Sequence, residues 1–120
     1  MADHVLFIGW GNPVRGAEER ALEVFNETMG LYGRLQQEGR IEGFDVMLFD
    51  ANREMDGCIQ VHGSAEQIAA LRTDEEFHRS MVDAALIVED LRLMEGYANE
   101  GVARQMALYQ EAVGRVPQRA

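Results

Sequence analysis

Lysine is absent from this chain: all 11 basic residues are arginine, set against 21 carboxylates, for a net charge of -10. Without a titratable amine, Schiff-base chemistry, covalent pyridoxal phosphate catalysis and lysine-dependent phosphate loops are excluded. The charge balance also argues against nucleic acid as a partner, because clustered Lys and Arg supply most of the affinity for phosphate. Cys58 is the only cysteine, so an internal disulfide cannot form, and a reducing cytoplasm is the expected location. No apolar run approaches the roughly 18 residues of a membrane span. No membrane span is expected, and because the opening Met-Ala-Asp-His lacks the basic and apolar regions of a signal peptide, secretion is not expected either. With 120 residues and no linker or low-complexity segment, the chain reads as one domain over residues 1–116, followed by a frayed tail over 117–120.

What is present is patterned. His4 to Trp10 is β-branched and aromatic with apolar residues on both parities, which suits a central strand covered on both faces. Gly11-Asn12-Pro13 breaks it. From Ala17 to Gln37, Ala21, Leu22, Phe25, Met29, Tyr32 and Leu35 recur at three- and four-residue spacing and predict a helix whose Glu18, Glu19, Glu23, Glu27 and Arg34 face outward. Gly30 and Gly33 weaken it, implying close packing there or loosening of its last turns, and Gly39 is a C-terminal stop. Ile41 to Asp50 and Gly57 to Gly63 read as two strands of a hairpin. Ser64-Ala-Glu-Gln67 and Thr73-Asp-Glu-Glu76 have capping-box spacing, predicting helices over Ala65 to Arg72 and Asp74 to Ala84. Leu86 to Tyr97 reads as a fourth strand with a bulge near Asp90. Asn99 is placed to cap a last helix with the stripe Val102, Met106, Tyr109 and Val113, expected to be core or subunit contact.

This order of elements is α+β: a ferredoxin-like βαββαβ antiparallel sheet, spatial order 4-1-3-2, with helices on one face and an extra C-terminal helix. The other face cannot simply meet water. Leu6, Ile8, Val46, Leu48, Leu86 and Val88 share one parity and Val5, Phe7, Met47, Phe49 and Ile87 the other, so both faces are apolar and a homodimer is expected.

The strand ending at Trp10, the Gly-Ala-Glu-Glu that opens the long helix, and the short helix before Thr73-Asp-Glu-Glu-Phe-His resemble the dimeric α/β-barrel superfamily over about residues 4 to 97. That broad group includes antibiotic-biosynthesis-type monooxygenases and EthD-like, YciI-like and NIPSNAP-like proteins. The resemblance implies two sheets paired face to face and a small-molecule cavity in each subunit. Fold alone constrains chemistry weakly. The histidine–aspartate pairing of some YciI-like proteins has no evident counterpart, since Asp3 and His4 are adjacent.

Candidate site residues follow from parity. Cys58, Gln60 and His62 share the side of the third strand opposite Ile59 and Val61, and so face away from the helices. His62 is the expected catalytic residue if there is one, histidine being the commonest general acid or base; the alternative is a histidine hydrogen-bonded across the interface. Trp10, at the other end of the sheet, offers a planar wall beside Asn12, Arg15, Asp50 and Arg53, or else anchors the strand end. Together with Cys58 and Gln60 these are the expected ligand-binding residues. No cofactor or metal is implied: Gly9, Gly11 and Gly16 do not match the dinucleotide spacing, and His4 with His62 lacks further ligands. Cys58 has no basic neighbour to make it a thiolate.

The expected function is the binding of a small apolar or aromatic molecule in a sheet-face pocket. If the protein is an enzyme, the resemblance favours cofactor-independent oxygenation or isomerisation, with His62 as base, Gln60 orienting substrate and Trp10 as wall. A non-catalytic, dimeric binding or stress-associated module is the alternative.

Overall fold

The computed structural model describes residues 2–117 and 119. Its elements are β1 (His4–Trp10), α1 (Glu18–Gln37), β2 (Gly43–Leu48), β3 (Gly57–Gly63), α2 (Ala65–Arg72), α3 (Glu75–Ile87), β4 (Arg92–Tyr97) and α4 (Glu100–Gly114). The strands form one sheet in the order β2-β3-β1-β4, every pair antiparallel, which is the ferredoxin-like arrangement read from the element order. No helix among the described residues is long and apolar enough to cross a membrane.

Residues directly opposite in an antiparallel ladder share a face. Leu6 lies beside Val61, and Ile8 beside Ile59 and Leu93. These side chains meet Leu31, Tyr32 and Leu35 of α1, Ile68 and Leu71 of α2, and Phe77 and Met81 of α3 in one core. The opposite face carries Val5, Phe7 and Gly9 of β1, Asp45 and Met47 of β2, Cys58, Gln60 and His62 of β3, and Arg92 and Met94 of β4. Among the described residues no helix covers it. Only its Trp10 end is sheltered, where the β2–β3 loop folds back: the Met55 thioether lies over Gly9, and Arg92 donates to the Glu54 carbonyl.

Local chemistry sets the boundaries. At the end of α1 the Arg40 amide donates to the Leu35 carbonyl and the Gly39 amide to the Gln36 carbonyl, with Gly39 at φ 73°. This is a Schellman stop, in which glycine takes the left-handed conformation without a Cβ penalty. Ser64 and Gln67 cap α2 reciprocally, and the Asp74 carboxylate accepts from the Phe77 amide at the start of α3.

Four sequence expectations require correction. Thr73 and Glu76 form no capping box: Asp74 is the N-cap of α3, and the Thr73 hydroxyl donates back to the Ala70 carbonyl of α2. The fourth strand begins at Arg92, not Leu86: Leu86 and Ile87 complete α3, because Phe77, Met81, Ala84 and Ile87 form one continuous helical stripe. Val88 then makes an isolated bridge with Pro13, and Asp90 turns the chain at φ 54°. The segment therefore contributes less to the open sheet face than its apolar parity implied. Gly30 and Gly33 neither pack closely nor loosen the helix; a Cβ at either would meet nothing within 4 Å, and α1 continues to Gln37. Asn99 precedes α4 without capping it. Its side-chain amide instead donates to the Ala2 carbonyl.

Candidate functional site

A cavity of about 430 Å³ lies between the helix-covered face of the sheet and the helix pair α1 and α3. Ile8, Trp10, Leu48 and Ile59 form its sheet wall, with Pro13, Val88 and Leu91 closing one end. Three features of the sequence make this hollow. Ala21 of α1 and Ala84 of α3 both face it with side chains too small to fill it. Gly57 allows the indole of Trp10 to lie against β3, since a Cβ there would sit 2.7 Å from Cζ2 of that ring. The turn after β1 is tied to the segment after α3, the Gly11 amide donating to the Glu89 carbonyl at 2.7 Å and the Val14 amide to the Ile87 carbonyl at 2.8 Å.

The helices above the cavity run antiparallel and are joined at three levels. Arg20 approaches Asp83 at 3.7 Å, the Thr28 and Ser80 hydroxyls lie 3.1 Å apart, and Arg34 pairs with Glu76. The Thr28 hydroxyl donates to the Val24 carbonyl at 2.7 Å, so the polar atom on the inner wall is already engaged. Trp10 and Phe25 meet edge to face with ring centroids 6.2 Å apart, both on the wall. Leu22 and Leu48, 67% and 68% exposed, make an apolar rim open to solvent. Glu18 is the only ionisable residue on the wall among the described residues; its carboxylate accepts from the Gly16 amide at 2.9 Å. The arrangement can hold an apolar body against two aromatic rings, with one carboxylate at the edge.

Of the residues expected from the sequence, Trp10 lines this cavity. Asn12, Arg15, Asp50 and Arg53 do not line it: all four are exposed, Asn12 offering its carbonyl to the Glu89 amide and Asp50 its own to the Asn52 side chain. Cys58, Gln60 and His62 lie on the opposite face of the sheet, away from the helices. Cys58 is buried, which pushes its thiol pKa up and keeps it protonated. His62 instead donates from Nε2 to the carboxylate of Asp45, 2.8 Å away. The pair forms because Asp45 is the diagonal neighbour of His62 on the same face, and the residue directly opposite His62 is Gly43, which leaves the space open.

The residues that sequence reasoning missed are Glu18, Thr28 and Asp45. Glu18 lies seven residues before Phe25, on the same side of α1, but its charge placed it among the outward-facing acids of that helix. Asp45 needed the register of β2 on β3, which the sequence alone leaves undetermined. Among the described residues no group of three or more His, Cys, Asp or Glu is placed to hold a metal ion.

No family model matches the chain, and no curated protein matches it significantly in sequence. Solved structures do match. A dimeric protein of unknown function with a ferredoxin-like fold from Bacteroides fragilis aligns over 79% of this chain and 96% of its own, with a TM-score of 0.59 and 14% identity. A protein of unknown function from Bacteroides thetaiotaomicron, described as a possible oxidoreductase, aligns over 82% of this chain and 100% of its own, with a TM-score of 0.61 and 15% identity. SnoaB, a cofactor-independent oxygenase from Streptomyces nogalater, aligns over 82% of this chain and 93% of its own, with a TM-score of 0.50 and 15% identity. At these identities the likeness is one of fold. The chain accordingly shares the ferredoxin-like fold of its structural neighbours.

Proposed function

We propose that this protein is a homodimeric binding protein that takes a small apolar or aromatic molecule into the cavity between its sheet and α1 and α3. The single observation that carries the reading is the cavity itself: about 430 Å³, within the range of small-molecule sites, walled by Trp10, Phe25 and aliphatic side chains. The cavity opens to solvent at Leu22 and Leu48, so a bound apolar molecule would remove its hydrocarbon wall from water, a favourable transfer. Mass spectrometry of small molecules released from the natively purified protein tests this. A hydrophobic compound at near one equivalent per chain is expected, and its absence together with a failure to bind added apolar probes would contradict the reading.

Dimerisation is supported from two sides. The uncovered sheet face exposes Met47 and Met94 around the polar Gln60, His62 and Asp45, a mixture typical of interfaces. α4 is exposed along its whole length apart from Gly101, with Val102, Met106, Leu108 and Tyr109 about half or more in solvent. An isolated helix of that length is marginal in water, so its apolar stripe requires a surface to pack on. In this reading the second copy supplies it, and His62 with Asp45 lies in the interface.

The catalytic alternative rests on the oxygenase and the possible oxidoreductase among the structural neighbours. A ligand that is itself an activated carbon acid would need little from the protein beyond desolvation, orientation and a proton acceptor. Glu18 is the wall group placed for that last role; His62 would serve only a ligand bound on the opposite face.

A further inference from the structure

Resting on the reading of the cavity as a ligand site, we infer that its ligand carries a positive charge: an apolar body bearing one protonated or quaternary amine, with the ammonium at Glu18. Three observations converge. First, the wall bears one charge and it is negative, while no arginine and no histidine lines the cavity among the described residues. Arg20, the cation nearest in sequence on α1, is already committed to Glu23, Glu27 and Asp83. Arg15, which would have suited an anion, does not line the cavity. Glu18 itself makes no ion pair among the described residues and accepts only the Gly16 amide, so one carboxylate oxygen is available.

Second, the wall is graded along α1. Glu18, Leu22, Phe25 and Thr28 fall on one side of the helix, so the wall runs from a carboxylate at the open rim, past Leu22 and Phe25, to a hydroxyl at the inner end. At 1.5 Å per residue the stripe spans about 15 Å, the length of an elongated amphiphile rather than a compact one. A ligand lying along it places its apolar part against Phe25 and Trp10 and its polar head at Glu18. The inner hydroxyl is spoken for by Val24 and Ser80, which leaves the rim as the polar anchor.

Third, the surrounding field has the same sign. A net charge of -10 raises the local concentration of cations at the protein surface and repels carboxylates, phosphates and acyl thioesters before they reach the rim. The lysine-free composition thus acts on ligand choice through what it withholds from this wall.

Trp10 is the only tryptophan and lines the cavity, so its fluorescence reports occupancy of this site alone. The test titrates the full-length protein with three probes of matched shape: 4-butylbenzylamine, protonated at neutral pH, 4-butylbenzyl alcohol and 4-butylbenzoate. The amine is expected to bind about 3- to 5-fold tighter than the alcohol, the gain of one partly exposed ion pair, and the benzoate weakest. Glu18→Gln, which keeps an oxygen for the Gly16 amide, should erase the preference for amine over alcohol. Glu19→Gln, the neighbouring acid off the wall, should leave the preference intact. Alcohol binding with no preference for the amine, or a preference that survives Glu18→Gln or vanishes with Glu19→Gln, overturns the inference while leaving the cavity reading standing. If none of the three probes perturbs Trp10, the cavity reading fails and this inference with it.

Discussion

Tyr32 shows how single side chains carry the energetics of this fold. Its ring is fully buried against Phe44, at a centroid distance of 5.7 Å, yet its hydroxyl has no hydrogen-bond partner among the described residues. Burial drives its pKa upward, so it stays a neutral phenol. A buried donor left unpaired costs about 1–3 kcal/mol, so Tyr32→Phe is expected to raise stability by about 1 kcal/mol in urea denaturation. A loss of comparable size would show the hydroxyl to be bonded. The residue scale is also where the sequence said least about the site. Trp10 stood out because it is unique, but Glu18 read as one of several solvent-facing acids on α1, and nothing in its spacing distinguished a cavity rim from plain surface. Asp45 became visible only when β2 was in register with β3.

At the scale of elements, legibility followed punctuation. β3 runs from Gly57 to Gly63 as expected, because glycines bound an alternating apolar run, and α2 is bounded by a capping box at one end. The α3–β4 boundary lacked such a marker: Leu86, Ile87 and Val88 satisfy strand propensity and also continue a helical stripe, and the helix prevails through the buried Ile87 on the cavity wall. Gly30 is a helical glycine with empty space where its Cβ would be, so Gly30→Ala is predicted to stabilise the protein by about 1 kcal/mol. The reverse holds at Gly101, where a Cβ would strike the carbonyl oxygen of Asp3. That contact, with the Arg104–Asp3 ion pair, pins the first turn of α4. Gly101→Ala should therefore release the start of α4, seen as faster amide hydrogen exchange over residues 100–104. α3 carries a pH dependence through its cap. The Phe77 amide, with Arg40 beside it, holds the Asp74 carboxyl below the usual carboxylate range. A carboxylate whose pKa falls on folding stabilises the native state above its unfolded value, and that stabilisation is lost as pH drops through the folded one. Unfolding free energy should thus decline on acidification below about pH 4, and less steeply in Asp74→Asn.

The whole molecule is more extended than its length requires. Its radius of gyration is 17.1 Å, against about 14 Å for a compact domain of this size, and its longest dimension is 56 Å. The excess goes with α4, which contacts β4 and little else. A dimer in which α4 packs on the second copy accounts for this shape, so size-exclusion with light scattering is expected to give twice the 13.5 kDa chain mass. Removing residues 99–120 should shift the equilibrium towards monomer. Element order made the sheet topology legible, because two split strand–helix–strand units leave few alternatives. The cavity was not legible, since a void between α1, α3 and the sheet depends on the heights at which Ala21, Ala84 and Gly57 meet, which no spacing in the chain encodes. The most direct test of the account is a Trp10 fluorescence titration with 4-butylbenzyl alcohol on the native protein and on Ala84→Phe, whose new ring would occupy the cavity. A saturable change in the native protein that disappears in the folded variant is predicted. Saturable binding that persists unchanged in Ala84→Phe, or no binding to the native protein, would contradict it.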